Sequence, residues 1–267
     1  MHQDTIWQQP LTQPAACDHI AQIYQDEAFL TDAVCHFAAA GLRGGDGVLL
    51  IGTPAHWAVI QSVLESEGFD VDRLAHAGQL TFWDAELTLS RIMADGMPDW
   101  LAFKNLLGGA IERKRQQHGS VRAFGEMADL LWRDGNREAA VCVEEFWSKL
   151  IKLHGISLFC AYFMDPLDAT AYGEPLEDVC RTHTHLIPTR HYERLDSAVN
   201  EASSRVLDES LANMLHTLAR IDLPATAMPF GQAVLFWLRK NMPLTADRVL
   251  AQVRDLHVEP APVSRDG

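Results

Sequence analysis

The chain has 267 residues, of which 48% are hydrophobic and 22% charged. That is enough apolar material for a large core and gives no basis for wholesale disorder. Its 22 Lys and Arg stand against 36 Asp and Glu, a formal net charge of −14, so the overall field repels nucleic-acid phosphates and anionic lipid alike.

Residues 1–17, with Pro10 and Pro14, read as a flexible leader without the cationic start and apolar stretch of a secretory signal. From Glu27 to Leu42, Phe29, Leu30, Ala33, Val34, Phe37, Ala38 and Leu42 recur at the three-to-four spacing of an amphipathic helix, closed by glycines. Gly47–Gly52 is a short apolar run with glycines at both ends, which predicts a buried strand of a parallel sheet. Thr53-Pro54 then opens a helix as N-cap and first-turn proline. Leu80–Asp84 predicts a second strand, Trp100–His118 a helix, Val121–Met127 a third strand, Asn136–His154 a helix and Ile156–Tyr162 a fourth strand. Strands alternating with helices in this way give an α/β fold, a mostly parallel sheet sandwiched by helices. Beyond residue 190 the pattern is helical: His191–Arg220, then Gly231–Lys240 after Pro224 and Pro229, then Leu244–Leu256. The organisation expected is an α/β domain over 18–190, a C-terminal helical appendage over 191–257, and flexible ends at 1–17 and 258–267.

No stretch approaches the roughly 20 apolar residues of a membrane-spanning helix. The five cysteines are odd in number and widely spaced, which suits reduced thiols. A cytoplasmic protein with neither a membrane nor a nucleic-acid partner is therefore expected.

The turn Gly52-Thr53-Pro54-Ala55-His56 follows the first strand of this reading, where a nucleotide-binding domain carries glycines and a lysine to cradle phosphate. One glycine, a proline and no lysine stand there instead, so phosphate binding is not expected. Glu126 ends the third strand, on the edge where α/β folds place ligands. Cys160 and Tyr162 lie within the fourth strand, facing that crevice or filling the core. Cys180 and His183 are three apart and would share a helix face. A structural zinc site needs four ligands, however, and no CxxC partner is present. The histidines therefore read as hydrogen-bonded packing residues or ligand-facing polar groups. No nucleophile elbow, HExxH or GxGxxG occurs, so neither catalysis, nor a cofactor, nor a metal is assigned.

Several of these segments, in this order, resemble the MEDS family of sensory domains. They are His19–Tyr24 with Phe29-Leu30, Gly41-Leu42, Gly45–Leu50, Gly52-Thr53, Gly78–Leu80, Asp84–Glu86, Phe124–Met127, Leu131-Trp132, Gly135-Asn136, Cys160–Tyr162 and Val179–His183. The resemblance spans residues 18–188. It implies a fold similar to RecA/KaiC-type domains without a phosphate-binding loop. It also implies a sensory role in prokaryotic signalling and transcriptional regulation, with small organic compounds such as hydrocarbon derivatives as ligands. No DNA-binding or kinase module of the kind fused to other members accompanies it here.

Together these readings predict a small organic ligand at the C-terminal edge of the sheet, lined by His19, Tyr24, Thr53, Glu126, Trp132, Tyr162 and His183. Occupancy would be relayed through the C-terminal helices, by self-association or to a signalling partner. The alternative is a degenerate RecA-like scaffold that binds a signalling partner and no small molecule.

Overall fold

The computed structural model describes residues 9–165, 167–168, 171–172, 174–187, 192–221 and 226–256. Residues 1–8 of the expected leader, all of the expected tail, His191 and Pro224 lie outside the described residues.

In chain order the elements are α1 (Gln9–Thr12), β1 (His19–Tyr24), α2 (Glu27–Gly44), β2 (Gly47–Gly52), α3 (Pro54–Ser66), α4 (Val71–His76), β3 (Leu80–Asp84) and α5 (Ala85–Ile92). A two-stranded antiparallel ribbon follows, β4 (Met93–Ala94) and β5 (Met97–Pro98). Next come α6 (Trp100–Phe103), a π-helical turn (Lys104–Gly108), α7 (Gly109–His118), β6 (Val121–Gly125), α8 (Met127–Arg133), α9 (Arg137–His154), β7 (Ser157–Phe163), α10 (Glu174–Thr182) and β8 (His185–Ile187). Four helices complete the chain: α11 (Tyr192–Val206), α12 (Glu209–Ile221), α13 (Phe230–Asn241) and α14 (Pro243–Leu256).

Six strands form one sheet in the order β3-β2-β6-β7-β1-β8, every pair parallel. The α/β class expected from the alternation is therefore the observed one. Strands β1 and β2 are buried along their whole length, because parallel sheets are covered on both faces. Chain order fixes which face each helix covers. The connections from β1 to β2 and on to β3 run toward one edge, and those from β6 to β7 and β8 run toward the other. Right-handed crossovers then put the two sets of helices on opposite faces. Residues of α2, α3 and α4 accordingly share a core with Ile20, Val48, Leu50, Phe124 and Phe159. On the other face, Trp147 of α9 lies against Gly125, 3.6 Å from where a Cβ would stand. The connections diverge between β2 and β6, so the crevice at their C-terminal ends is the topological switch point of the sheet.

Three differences from the sequence reading matter. β1 precedes the strand taken as first, so the first strand-to-helix turn is Gln25-Asp26, and Thr53-Pro54 is the second. The start of α2 is capped by its own side chain, Asp26, which accepts from the amides of Ala28 and Phe29. The leader is not loose from Gln9 onward: Leu11 is buried in the core, and the Leu11 and Thr12 carbonyls accept from the Arg122 guanidinium at 3.1 and 3.2 Å. The helix expected over 191–220 is two helices, because the Asp208 carboxylate accepts from the Leu211 amide and starts α12 afresh.

The described residues divide into two compact units. Residues 9–164 with Asp178–Ile187 make up the sheet unit; the described residues between Asp165 and Glu177, with those from 192 onward, make up the helical one. In the helical unit Leu195, Val199, Leu215, Val234, Leu235, Val249, Leu250 and Val253 are buried. No described helix is long and apolar enough to cross a membrane.

Candidate functional site

The seven candidate residues fall into two groups on opposite faces of the sheet. Thr53, Glu126 and Tyr24 stand at its C-terminal edge. Glu126 follows β6, and its amide donates to the Ile51 carbonyl of β2 at 2.9 Å, which pins it to the switch point. Its buried carboxylate accepts from the Thr53 amide at 2.7 Å and from Nδ1 of His56, while Nε2 of His56 meets Glu27. Residue 52 is a glycine for a steric reason, since a Cβ there would lie 2.9 Å from Glu126 Oε2. The network grades from core to solvent: side-chain exposure is 2% at Glu126, 15% at His56 and 54% at Glu27. Chiefly through its hydrogen bond to Glu126, with Glu27 adding to it, the His56 pKa rises to about 9 against the opposing cost of burial. At neutral pH the ring is an imidazolium between two carboxylates.

Tyr24 ends β1 and donates to Asp129 Oδ2 at 3.0 Å, while Asp129 Oδ1 accepts from the Phe163 amide at 2.7 Å. Burial raises the Asp129 carboxyl to about 6, even though these hydrogen bonds and Arg133 oppose the rise. It also pushes the Tyr24 phenol up, with Asp129 adding to the shift.

His19, Tyr162 and His183 form the second group, and two of them do not reach the predicted edge. His19 opens β1, and His183 precedes β8, so both lie toward the N-terminal ends of their strands. They meet Cys160 of β7 and Glu144 of α9. His19 Nε2 lies 3.1 Å and His183 Nε2 3.7 Å from Glu144 Oε2, and the Cys160 sulfur is 3.6 Å from both His19 Nε2 and Glu144 Oε2. Tyr162 donates to the other oxygen of Glu144. Burial alone would raise the Glu144 carboxyl, but the hydrogen bonds from His19 and Tyr162 pull it the other way. Burial and the neighbouring His19 push His183 down to about 3, which leaves its ring neutral. Trp132 joins this group only by packing edge-on against Tyr162, with ring centres 6.0 Å apart.

Sequence reasoning missed Glu27, His56, Asp129 and Glu144. The available signal for Glu144 was its place on the buried stripe of α9, in step with Ala140, Trp147 and Ile151. An acid on an apolar stripe needs a partner. Cys180, considered beside His183, belongs to α10 and is not in the cluster; Cys160 supplies the thiol.

The model of the MEthanogen/methylotroph, DcmR Sensory domain (MEDS) matches residues 18–184, more than half of the chain. The chain belongs to the MEDS family. Its role is accordingly sensory or regulatory. The matched span runs from just before β1 to just before β8, so both polar groups of this MEDS domain lie inside it. No curated protein and no solved structure matches the chain.

Proposed function

We propose that this MEDS domain is a non-enzymatic receptor for a small organic molecule, which it takes up at the switch point between β2 and β6. The ligand state would then be relayed to a protein partner or to a second copy through the C-terminal helices. The observation that carries the reading is the convergence of Glu126, His56, the Thr53 amide and Glu27 where α/β sheets receive ligands. The chemistry of the edge narrows the class. Asp26 occupies the N-terminus of α2, and Glu126 holds the first amide before α3. Groups that would otherwise attract phosphate are already satisfied by carboxylates. A neutral or cationic molecule able to hydrogen-bond to a carboxylate or an imidazolium suits this edge, and an anion does not.

Thermal unfolding of the full chain against short-chain alcohols, amines, carbonyl compounds and organic halides tests the proposal. A binder present at about a hundred times its dissociation constant stabilises by about 2.7 kcal/mol. The resulting rise in melting temperature should vanish in Glu126→Gln. If no compound moves the wild-type transition, the small-ligand reading fails. A partner that binds equally with and without such compounds would then favour the scaffold reading.

A further inference from the structure

The second polar group carries an inference that does not depend on the ligand site. Four side chains from four parts of the fold converge in the interior: His19 is 2% exposed, Glu144 3%, Cys160 1% and His183 4%. Each offers one ligand atom, and all four atoms lie within 4.8 Å of one another. Both rings turn the same way. His19 Nδ1 is 2.8 Å from the Thr182 carbonyl, and His183 Nδ1 is 2.7 Å from the Val179 carbonyl. A carbonyl only accepts, so each Nδ1 carries a hydrogen, and each ring when neutral turns an Nε2 lone pair toward the cluster. Tyr162, by holding one oxygen of Glu144, aims the other at the same point. With both rings neutral, two lone pairs, a carboxylate oxygen and the Cys160 sulfur face one point. A cation at that point can take all four as ligands.

We propose that His19, Glu144, Cys160 and His183 form a structural zinc site, which binds one Zn²⁺ through Nε2, Oε2, Sγ and Nε2 and clamps the returning segment 178–187 to β1, β7 and α9. Four of the six ligand-atom separations fit this ion. Tetrahedral zinc puts nitrogen and oxygen donors about 3.3 Å apart and sulfur about 3.6 Å from either. The observed separations are 3.1 and 3.7 Å between nitrogen and oxygen and 3.6 Å for two of the three sulfur distances, and the remaining two lie within 4.8 Å. Ligand chemistry agrees, since imidazole with thiolate favours zinc over magnesium or calcium. Four protein ligands leave no open position, as in structural rather than catalytic sites. Charge also closes: carboxylate and thiolate balance the dication, so the buried complex is neutral. On binding, the Cys160 thiol and any proton shared between His19 and Glu144 release their protons to solvent. The carbonyls behind the rings and Tyr162 behind Glu144 are the outer hydrogen bonds that orient ligands in known zinc sites.

The test uses the untagged full chain, purified from zinc-supplemented cells and analysed for metals. One zinc per chain is expected, and replacement by Co²⁺ should give the intense visible bands and sulfur charge transfer of a tetrahedral thiolate site. Cys160→Ser should abolish the charge-transfer band. Tyr162→Phe, which keeps all four ligands, should weaken zinc binding by about 10–100-fold. Cys180→Ser should leave both signals unchanged. Should Cys160→Ser fail to fold, the wild-type cobalt spectrum and Tyr162→Phe still decide the matter. Absence of stoichiometric metal together with no tetrahedral cobalt spectrum overturns the proposal. So does a folded Cys160→Ser that keeps both the metal and the charge-transfer band.

Discussion

Replacing Glu126 with Gln keeps the shape of the side chain and an acceptor for the Thr53 amide, but removes the charge that holds His56. The hydrogen bond from Glu126 is the largest single reason that the His56 pKa rises from 6.5 to about 9. A histidine that binds its proton more tightly folded than unfolded contributes stability that is complete below pH 6.5. That contribution is lost as pH climbs through 9. A displacement of this size corresponds to at most about 3 kcal/mol. It is an upper limit because Glu27, the second carboxylate, is 54% exposed and screened by water. The assay has two parts: the titration of the His56 ring by NMR, and urea unfolding of wild type and Glu126→Gln at several pH values between 6.5 and 9. The variant's titration midpoint should move down toward 6.5. The stability difference between the two proteins should be largest at the acid end and shrink toward the alkaline end. A midpoint unchanged in the variant, or a difference that stays flat across the window, refutes the reasoning.

Gly52→Ala would place a methyl 2.9 Å from Glu126 Oε2; the carboxylate must retreat, so a loss of about 1–3 kcal/mol is expected on chemical unfolding, with the same fall in the His56 titration. Trp147, 1% exposed and edge-on to Phe103 at 5.2 Å, should cost about 3–5 kcal/mol when cut to Ala, read as a lower urea midpoint. Asp129 titrates near 6 instead of 3.8 because it is buried, so its favourable contribution is complete below pH 3.8 and is lost as pH rises through 6. Asp129→Asn has no such dependence and should gain on wild type by up to about 3 kcal/mol across that window; parallel unfolding curves on either side of it check this.

Four of the six sheet strands were legible because parallel strands buried on both faces read as apolar runs, as in Gly47–Gly52 and Ile156–Tyr162. β1 was not, because His19 and Gln22 interrupt its apolar pattern although both are buried. Missing that strand shifted the supposed phosphate loop by one crossover. β8 has only three residues, too short for any periodicity to register. Thr53 and Glu126 could be placed at the sheet edge because each follows an apolar run read as a strand, so position alone marked them. Glu27 and His56 looked like ordinary first-turn residues of two different helices, and only the placement of α2 and α3 on one face brings them to Glu126. The pairing of His19 with His183 depends on β1 lying between β7 and β8, a fact of topology that no local spacing contains.

The two polar groups differ in access, and that difference separates the two proposed roles. The edge network leads from a buried carboxylate to a half-exposed one, so a molecule in solution can compete for His56 or Glu27 without the fold opening. None of the four core residues is more than 4% exposed, so an ion bound there would enter as the chain folds and leave only when it opens. On the two proposals, an exchanging signal would sit at the first site and a permanent clamp at the second. The two effects are therefore separable by rate. Compounds that act at the edge should shift stability as soon as they are mixed, whereas a chelator should act only as fast as the sheet unit opens. A chelator that strips the core site within mixing time would place that site at a surface, contrary to its burial.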